Sequence, residues 1–276
     1  MEQAVFSPPF AKGELKSMSL STLPETDWPI VVISLPDAAA RKEMISRQLG
    51  ALDLPFEFLD AIDGRAGLPE EYEASIDRIG TQRHLGRAMT DGEYACALSH
   101  LAIYRLILDR DLPGAIVLED DAILGEGFVQ FLRERGYERA PLIQLDHHHA
   151  RIPRIMGRSL LIESCTLRRL ARNALLSTGY AINRHAASFI LERAIPLRAP
   201  ADWPCDLRPL GVLCSDPRLV DHPTGDEDIS ALGDLRTQLH LEYKRRQKQS
   251  FRNERKYLRG AYWKKKWLKM TTIRLS

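Results

Sequence analysis

Apolar positions in this chain fall into short blocks, and the spacing inside each block names its element. Residues 29–35 form a strongly β-favouring run, predicted as a first buried strand. Met44, Ile45, Leu49 and Leu52 then recur at helical spacing, with Asp37 as a candidate cap. Residues 55–60 return to strand on the alternation of Phe56 and Phe58. Strand, helix, strand in that order predicts a βαβ start and a parallel sheet.

Asp60 and Asp63 close the second strand at a turn glycine, Gly64. Residues 67–89 lack a clear period and read as an excursion with one short helix. Thr90 and Glu93 match a capping box, opening a helix whose stripe is Ala97, Leu101, Tyr104 and Leu108. Pro113 stops it. Ala115 to Leu118 form a run buried on both faces, which ends in Glu119, Asp120 and Asp121. Residues 141–145 suggest another strand, leading to Asp146 and three histidines. Residues 160–167 and 174–182 are expected to pair as strands, residues 184–195 to be helical, and residues 199–204 to form a rigid loop presenting Asp202.

The three acids carry the candidate chemistry. Repulsion and desolvation make such a cluster costly unless water or a cation compensates. Ligands of open α/β sheets sit at the carboxyl ends of strands, where these acids fall. If strand geometry persists, Glu119 and Asp121 point one way and Asp120 the other. Hard oxygens in that arrangement suit Mg²⁺ or Mn²⁺, and a solvated acidic turn accounts for them equally well. His147 to His149 read as a polar loop rather than a zinc site, since adjacent histidines diverge. His100 reads as a structural histidine on the helical stripe. Neither a Gly-x-Ser-x-Gly elbow nor a phosphate-binding P-loop occurs, which disfavours hydrolases and P-loop kinases.

Composition changes the picture in one respect. With 276 residues, 44% hydrophobic and 28% charged, the chain is ordinary for a soluble protein. It shows no spanning run or signal pattern, and its four cysteines have no zinc or disulfide spacing, so a cytoplasmic location is expected. The net charge of +2 conceals twelve Lys or Arg against two Glu across residues 242–270. Leu235, Leu239 and Tyr243, then Trp263, Trp267 and Met270, continue at helical spacing through this basic stretch. An amphipathic helix at an anionic membrane surface is the favoured reading, ahead of a helix packed on the domain, with nucleic acid third. The expected division is a loosely ordered lead-in over residues 1–28, a main domain over 29–234 and a basic amphipathic helical tail over 235–276.

Taken in order, these motifs resemble glycosyltransferase family 25. Val32-Ile33-Ser34-Leu35 with Arg41 resembles the family's opening strand and arginine-bearing helix. The Asp60 to Gly64 turn, the Thr90 to His100 segment and Leu118-Glu119-Asp120-Asp121 resemble three further family motifs, and Gly179 to Arg184 and Ala201-Asp202 two later ones. The resemblance implies an α/β nucleotide-binding fold of the glycosyltransferase A type, with a mixed, mostly parallel central sheet. It implies Mn²⁺ or Mg²⁺ at Glu119 and Asp121, contacts to a UDP-sugar donor at Ile33, Asp63, Glu93, Glu119 and Asp120, and Asp202 as catalytic base. The implied reaction is inverting transfer, most often of galactose, to a lipopolysaccharide or lipooligosaccharide acceptor, on the inner face of the cytoplasmic membrane. Ser34, Pro36 and Ala95 stand where the family has Asn, Asp and Gly. They are the best support for the alternative, a catalytically silent saccharide- or nucleic-acid-binding protein.

Overall fold

The computed structural model describes residues 28–155, 157, 159–223 and 260–275. Residues 1–27 of the 1–28 lead-in and the stripe of Leu235, Leu239 and Tyr243 lie outside them.

The predicted βαβ start forms as β1 (Ile30–Ser34), α1 (Ala39–Ala51) and β2 (Phe56–Asp60). Asp37 does not cap α1: the cap position is Ala38, which has no side-chain bond, and Asp37 instead accepts from Arg65 at 2.7 Å. Residues 67–89 hold a 3-10 turn and α2 (Arg78–Leu85). The Thr90–Glu93 capping box opens α3 (Asp91–Asp109), which leads to β3 (Gly114–Glu119). After β4 (Ile123–Leu124) and α4 (Phe128–Arg133) come β5 (Leu142–Gln144), β6 (Arg151–Pro153), β7 (Ser159–Leu161) and β8 (Thr166–Arg169). Next are β9 (Gly179–Asn183), α5 (Arg184–Ala194), β10 (Leu213–Asp216) and β11 (Val220–Asp221). The chain closes with α6 (Gly260–Thr271) and β12 (Thr272–Arg274).

Eight strands form one sheet in the order β2-β1-β3-β9-β5-β10-β8-β7. Strands β2, β1, β3, β5, β10 and β7 run one way and β9 and β8 the other. This is the mixed, mostly parallel α/β architecture the sequence predicts. One expected pairing is wrong. The 160–167 stretch instead falls within a hairpin of its own, β7 with β8, while β9 inserts between β3 and β5. The five-residue β9 is buried over its first four residues, so it needs a partner on each edge, whereas β7 is exposed throughout and sits at the rim.

Strand alternation splits the core into two layers. Ala115 and Val117 face α3 and α5 with Tyr180 and Ile182, whereas Ile116 and Leu118 face α1 and α4 with Ala181. Helices on both faces leave the carboxyl edge of the sheet as the open end. Ser34, Asp60, Glu119 and Gln144 end their strands along that edge.

Candidate active site

Glu119 continues the alternation of Ala115 and Val117, so its side chain is delivered to the α3 face. There Oε1 accepts from Ser177 Oγ at 2.9 Å and lies 3.3 Å from His100 Nε2. A carboxylate only accepts, so Nε2 carries the hydrogen and Nδ1 takes that of the Tyr180 hydroxyl at 2.8 Å. Burial opposes ionisation of Glu119. The bonds from His100 and Ser177 and the nearby His222 outweigh it and hold the carboxyl below its ordinary range.

Asp120 goes to the opposite face. It accepts from Ser34 Oγ at 2.7 Å and lies 3.4 Å from Arg41 of α1. Ser34, one of the departures from the family pattern, thus takes part in the acidic cluster. Ile33 pairs in register with Glu119 on the neighbouring strand and contributes backbone there. Asp121 lies in the turn after β3. Burial, then the charges of Glu119 and Asp120, push its carboxyl up to about 7. Its Oδ1 is buried without a hydrogen-bond partner.

That bare oxygen tests whether a divalent cation suits the site. Three carboxylates follow one another at the end of β3, two are satisfied by neighbours, and the third has an unsatisfied buried atom and a carboxyl raised by burial and by the other two. A site short of positive charge and built from hard oxygens fits Mg²⁺ or Mn²⁺.

The other candidates lie in different surroundings. Asp63 is bound through both oxygens by Arg65, with contacts of 2.6 to 3.1 Å, which hold its carboxyl low. The Asp63-Gly64 turn rests on the start of α3, since a Cβ at Gly64 would stand 2.6 Å from the Asp91 carbonyl oxygen. Glu93 is buried, and its oxygens are taken by Arg87 at 2.6 and 2.8 Å and by the Thr90 amide. Asp202 is half-buried, and its Oδ1 accepts the Leu176 amide at 3.1 Å. Leu176 (φ 80°) and Trp203 (φ 74°), at either end of that contact, are both in the left-handed region. Each costs roughly 1–3 kcal/mol and needs surrounding structure to hold it. The next residue, Ser177, is the one that binds Glu119.

The structure adds a hydrogen-bonded pair, Asp146 and His222, to the candidate residues. Asp146 and His147 are buried, so the stretch read as a polar loop is a polar loop only at His148 and His149. Burial is possible because each group is bonded. His147 Nε2 lies 2.9 Å from the Ser215 carbonyl oxygen, and Asp146 meets His222 Nδ1 at 2.8 Å and Arg218 at 3.5 Å. In the neutral ring, Nδ1–H of His222 therefore points at Asp146, leaving Nε2 with a lone pair. Gly179 makes this approach possible: a Cβ there would stand 2.8 Å from Val220, just ahead of His222. Asp146 follows a strand as Asp121 does, a signal that was available. His222 follows a two-residue strand and has no local signature. Asp146, Asp221 and His222 have ligand atoms within 4.8 Å of one another, but Arg218 already supplies a cation to that group.

The model of glycosyltransferase family 25 (LPS biosynthesis protein) matches residues 28–204, which is most of the chain. This chain belongs to glycosyltransferase family 25. It is 31% identical over 179 residues to the lacto-N-neotetraose biosynthesis glycosyltransferase LgtE of Neisseria meningitidis serogroup B, covering 62% of each chain. It is 36% identical over 103 residues to the lipooligosaccharide biosynthesis protein lic2B of Haemophilus influenzae, covering 37% of each. A shorter match, 30% over 95 residues, is to the mouse procollagen galactosyltransferase 2, covering 33% of this chain and 15% of that one. The matched region thus spans about three-fifths of LgtE. The family match ends at the Asp202 loop and leaves out β10, β11 and His222.

Proposed function

We propose that this family 25 member is a metal-dependent, inverting glycosyltransferase that moves galactose from UDP-galactose onto a lipopolysaccharide or lipooligosaccharide acceptor. The observation that carries the reading is the buried, unpartnered Asp121 Oδ1 beside Glu119 and Asp120. The relatives' names support the acceptor class, and the procollagen enzyme's name supports galactose.

In this reading Glu119 and Asp121 would hold Mn²⁺ or Mg²⁺. The ion would supply positive charge against the negative charge that develops on the departing diphosphate. Ile33, Asp63, Glu93, Glu119 and Asp120 are the proposed donor contacts. Of these, Asp120 and the backbone of Ile33 border the cluster directly. Asp202 takes the proton from the acceptor hydroxyl as that oxygen bonds to the anomeric carbon and the bond to the diphosphate breaks. Its Leu176 bond fixes one oxygen, which orients the carboxylate.

The proposed location is the inner face of the cytoplasmic membrane, held by the basic tail. Among the described residues no helix is long and apolar enough to cross a membrane. On α6, Trp263, Trp267 and Met270 are 54%, 66% and 65% exposed, flanked by Lys264, Lys265, Lys266 and Lys269. Exposed tryptophans among lysines suit an anionic interface.

The test is turnover by the full chain with a panel of UDP-sugars, Mn²⁺ and a lipooligosaccharide acceptor. UDP release with a product one hexose heavier is expected, lost with chelator. Absence of nucleotide-sugar binding and turnover would overturn the enzyme reading.

A further inference from the structure

Strand β12 brings the end of the chain back onto the domain. It pairs antiparallel with β6, matching Thr272 with Pro153 and Arg274 with Arg151. The Arg154 amide donates to the Thr271 carbonyl at 2.8 Å, the Leu275 amide to that of Ala150 at 3.0 Å, and Arg151 Nε to Thr272 Oγ1 at 2.6 Å. Thr272 is buried as a result.

This docking completes a cavity of about 290 Å³ whose lining includes Ile152, Pro153, Arg154, Arg168, Arg169 and Ile273. No acid lines it. Arg168 is engaged by Asp216 at 2.6 Å and Ser159 at 3.3 Å. Arg154 and Arg169 are exposed, and among the described residues neither side chain has a hydrogen-bond or ion-pair partner. Two uncompensated guanidinium groups around one cavity make a receptor for a planar or tetrahedral oxyanion, because each presents a fork of donors. The volume is roughly that of ten waters at ~30 Å³ each, enough for a phosphate and the oxygen that esterifies it.

What lies beside the cavity decides the source of the phosphate. Ile273 in the wall lies two residues after the end of α6, and α6 carries the exposed Trp263, Trp267 and Met270 with four lysines. We propose that the cavity bounded by β6, β7, β8 and β12 binds a lipid phosphomonoester headgroup through Arg154 and Arg169, while the apolar residues of α6 enter the same leaflet. The inference rests on the membrane reading of the tail and adds a defined headgroup site to it. The tail is then a two-point anchor in which the strand fixes the helix relative to the domain.

Flotation of the full chain with three vesicle types tests this: phosphatidylcholine alone, with phosphatidylglycerol, or with phosphatidic acid. The parent should favour phosphatidic acid. Arg154→Gln with Arg169→Gln should weaken that binding roughly thirtyfold, at about one Lys/Arg increment per residue, with a smaller loss on phosphatidylglycerol. Turnover of nucleotide sugar with a soluble acceptor should be unchanged, since neither arginine belongs to the catalytic site. Trp263→Ser with Trp267→Ser should weaken binding to both anionic vesicles alike. Equal binding of parent and arginine variant to phosphatidic acid overturns the headgroup site and leaves the membrane reading standing. No binding of the parent to any anionic vesicle overturns both. If the arginine variant also loses turnover, ³¹P line broadening of short-chain phosphatidic acid by the parent decides. Broadening that inorganic phosphate reverses only in large excess supports the site, whereas none, or reversal at equal concentration, overturns it.

Discussion

His100 Nε2 lies 3.3 Å from Glu119 Oε1, while its Nδ1 lies 2.8 Å from the Tyr180 hydroxyl. The buried imidazole therefore links the long helix α3 to the acid-tipped end of β3, and its tautomer is set from both sides. A histidine read as structural thus supports a candidate site residue. His100→Ala leaves the Tyr180 hydroxyl and Glu119 each short of a partner. The expected cost is about 2–4 kcal/mol of stability, from two lost buried bonds. Metal affinity should fall about tenfold to a hundredfold, as for outer partners of metal ligands. Thermal melts and Mn²⁺ titration read the two effects separately.

Asp121→Asn removes a charge at nearly constant shape. The fold should persist, while metal-dependent turnover drops about a hundredfold or more, the scale for losing one preorganised electrostatic group. Turnover within a few-fold of the parent would reduce the acids to a structural turn.

The pH dependence of stability follows from the same residue. Burial and the two neighbouring carboxylates raise the Asp121 carboxyl from 3.8 in the unfolded chain to about 7. The folded state therefore holds a proton that the unfolded state releases. The contribution is complete below about pH 4 and lost as pH rises through about 7. Without metal, Asp121→Asn should flatten this decline in denaturant midpoints, and saturating Mn²⁺ should oppose it by binding the ionised form. A parent chain whose midpoint rises steadily across that window through this residue would contradict the assignment.

For Asp202→Asn, the amide oxygen can still accept the Leu176 N–H. Donor affinity should hold while transfer falls by about 10²–10⁴-fold, the range of general-base catalysis. Joint loss of binding and transfer would move Asp202 to the donor site.

Deleting residues 260–276 separates anchoring from folding. Donor binding should survive, since the candidate site residues all lie at or before His222. Vesicle binding should be lost, and proteolysis near β6 should accelerate because its ladder partner has gone. Binding measured by flotation and limited digestion are the two readouts.

Much of this protein is local and so legible in one dimension. The β-run of residues 30–34, the Thr90–Glu93 box and the apolar run before Glu119 are each decided by contacts within a few residues. The structure reproduces them as β1, the α3 cap and β3. The placement of acids at the open edge also follows, since a parallel strand buried on both faces leaves its polar end at the carboxyl edge. Other features depend on pairs far apart in the chain. Ser34 reaches Asp120 across 86 positions and His222 reaches Asp146 across 76. No period or cap encodes which strand fills the gap between β3 and β5, because β9 carries the same apolar pattern whichever neighbours it has. Only its burial between two edges decides that. The tail shows the same limit from the other side. Its helical period and charge are plain in the sequence, yet β12 takes its form from the edge of β6, and only that long-range pairing assembles the arginine-lined cavity.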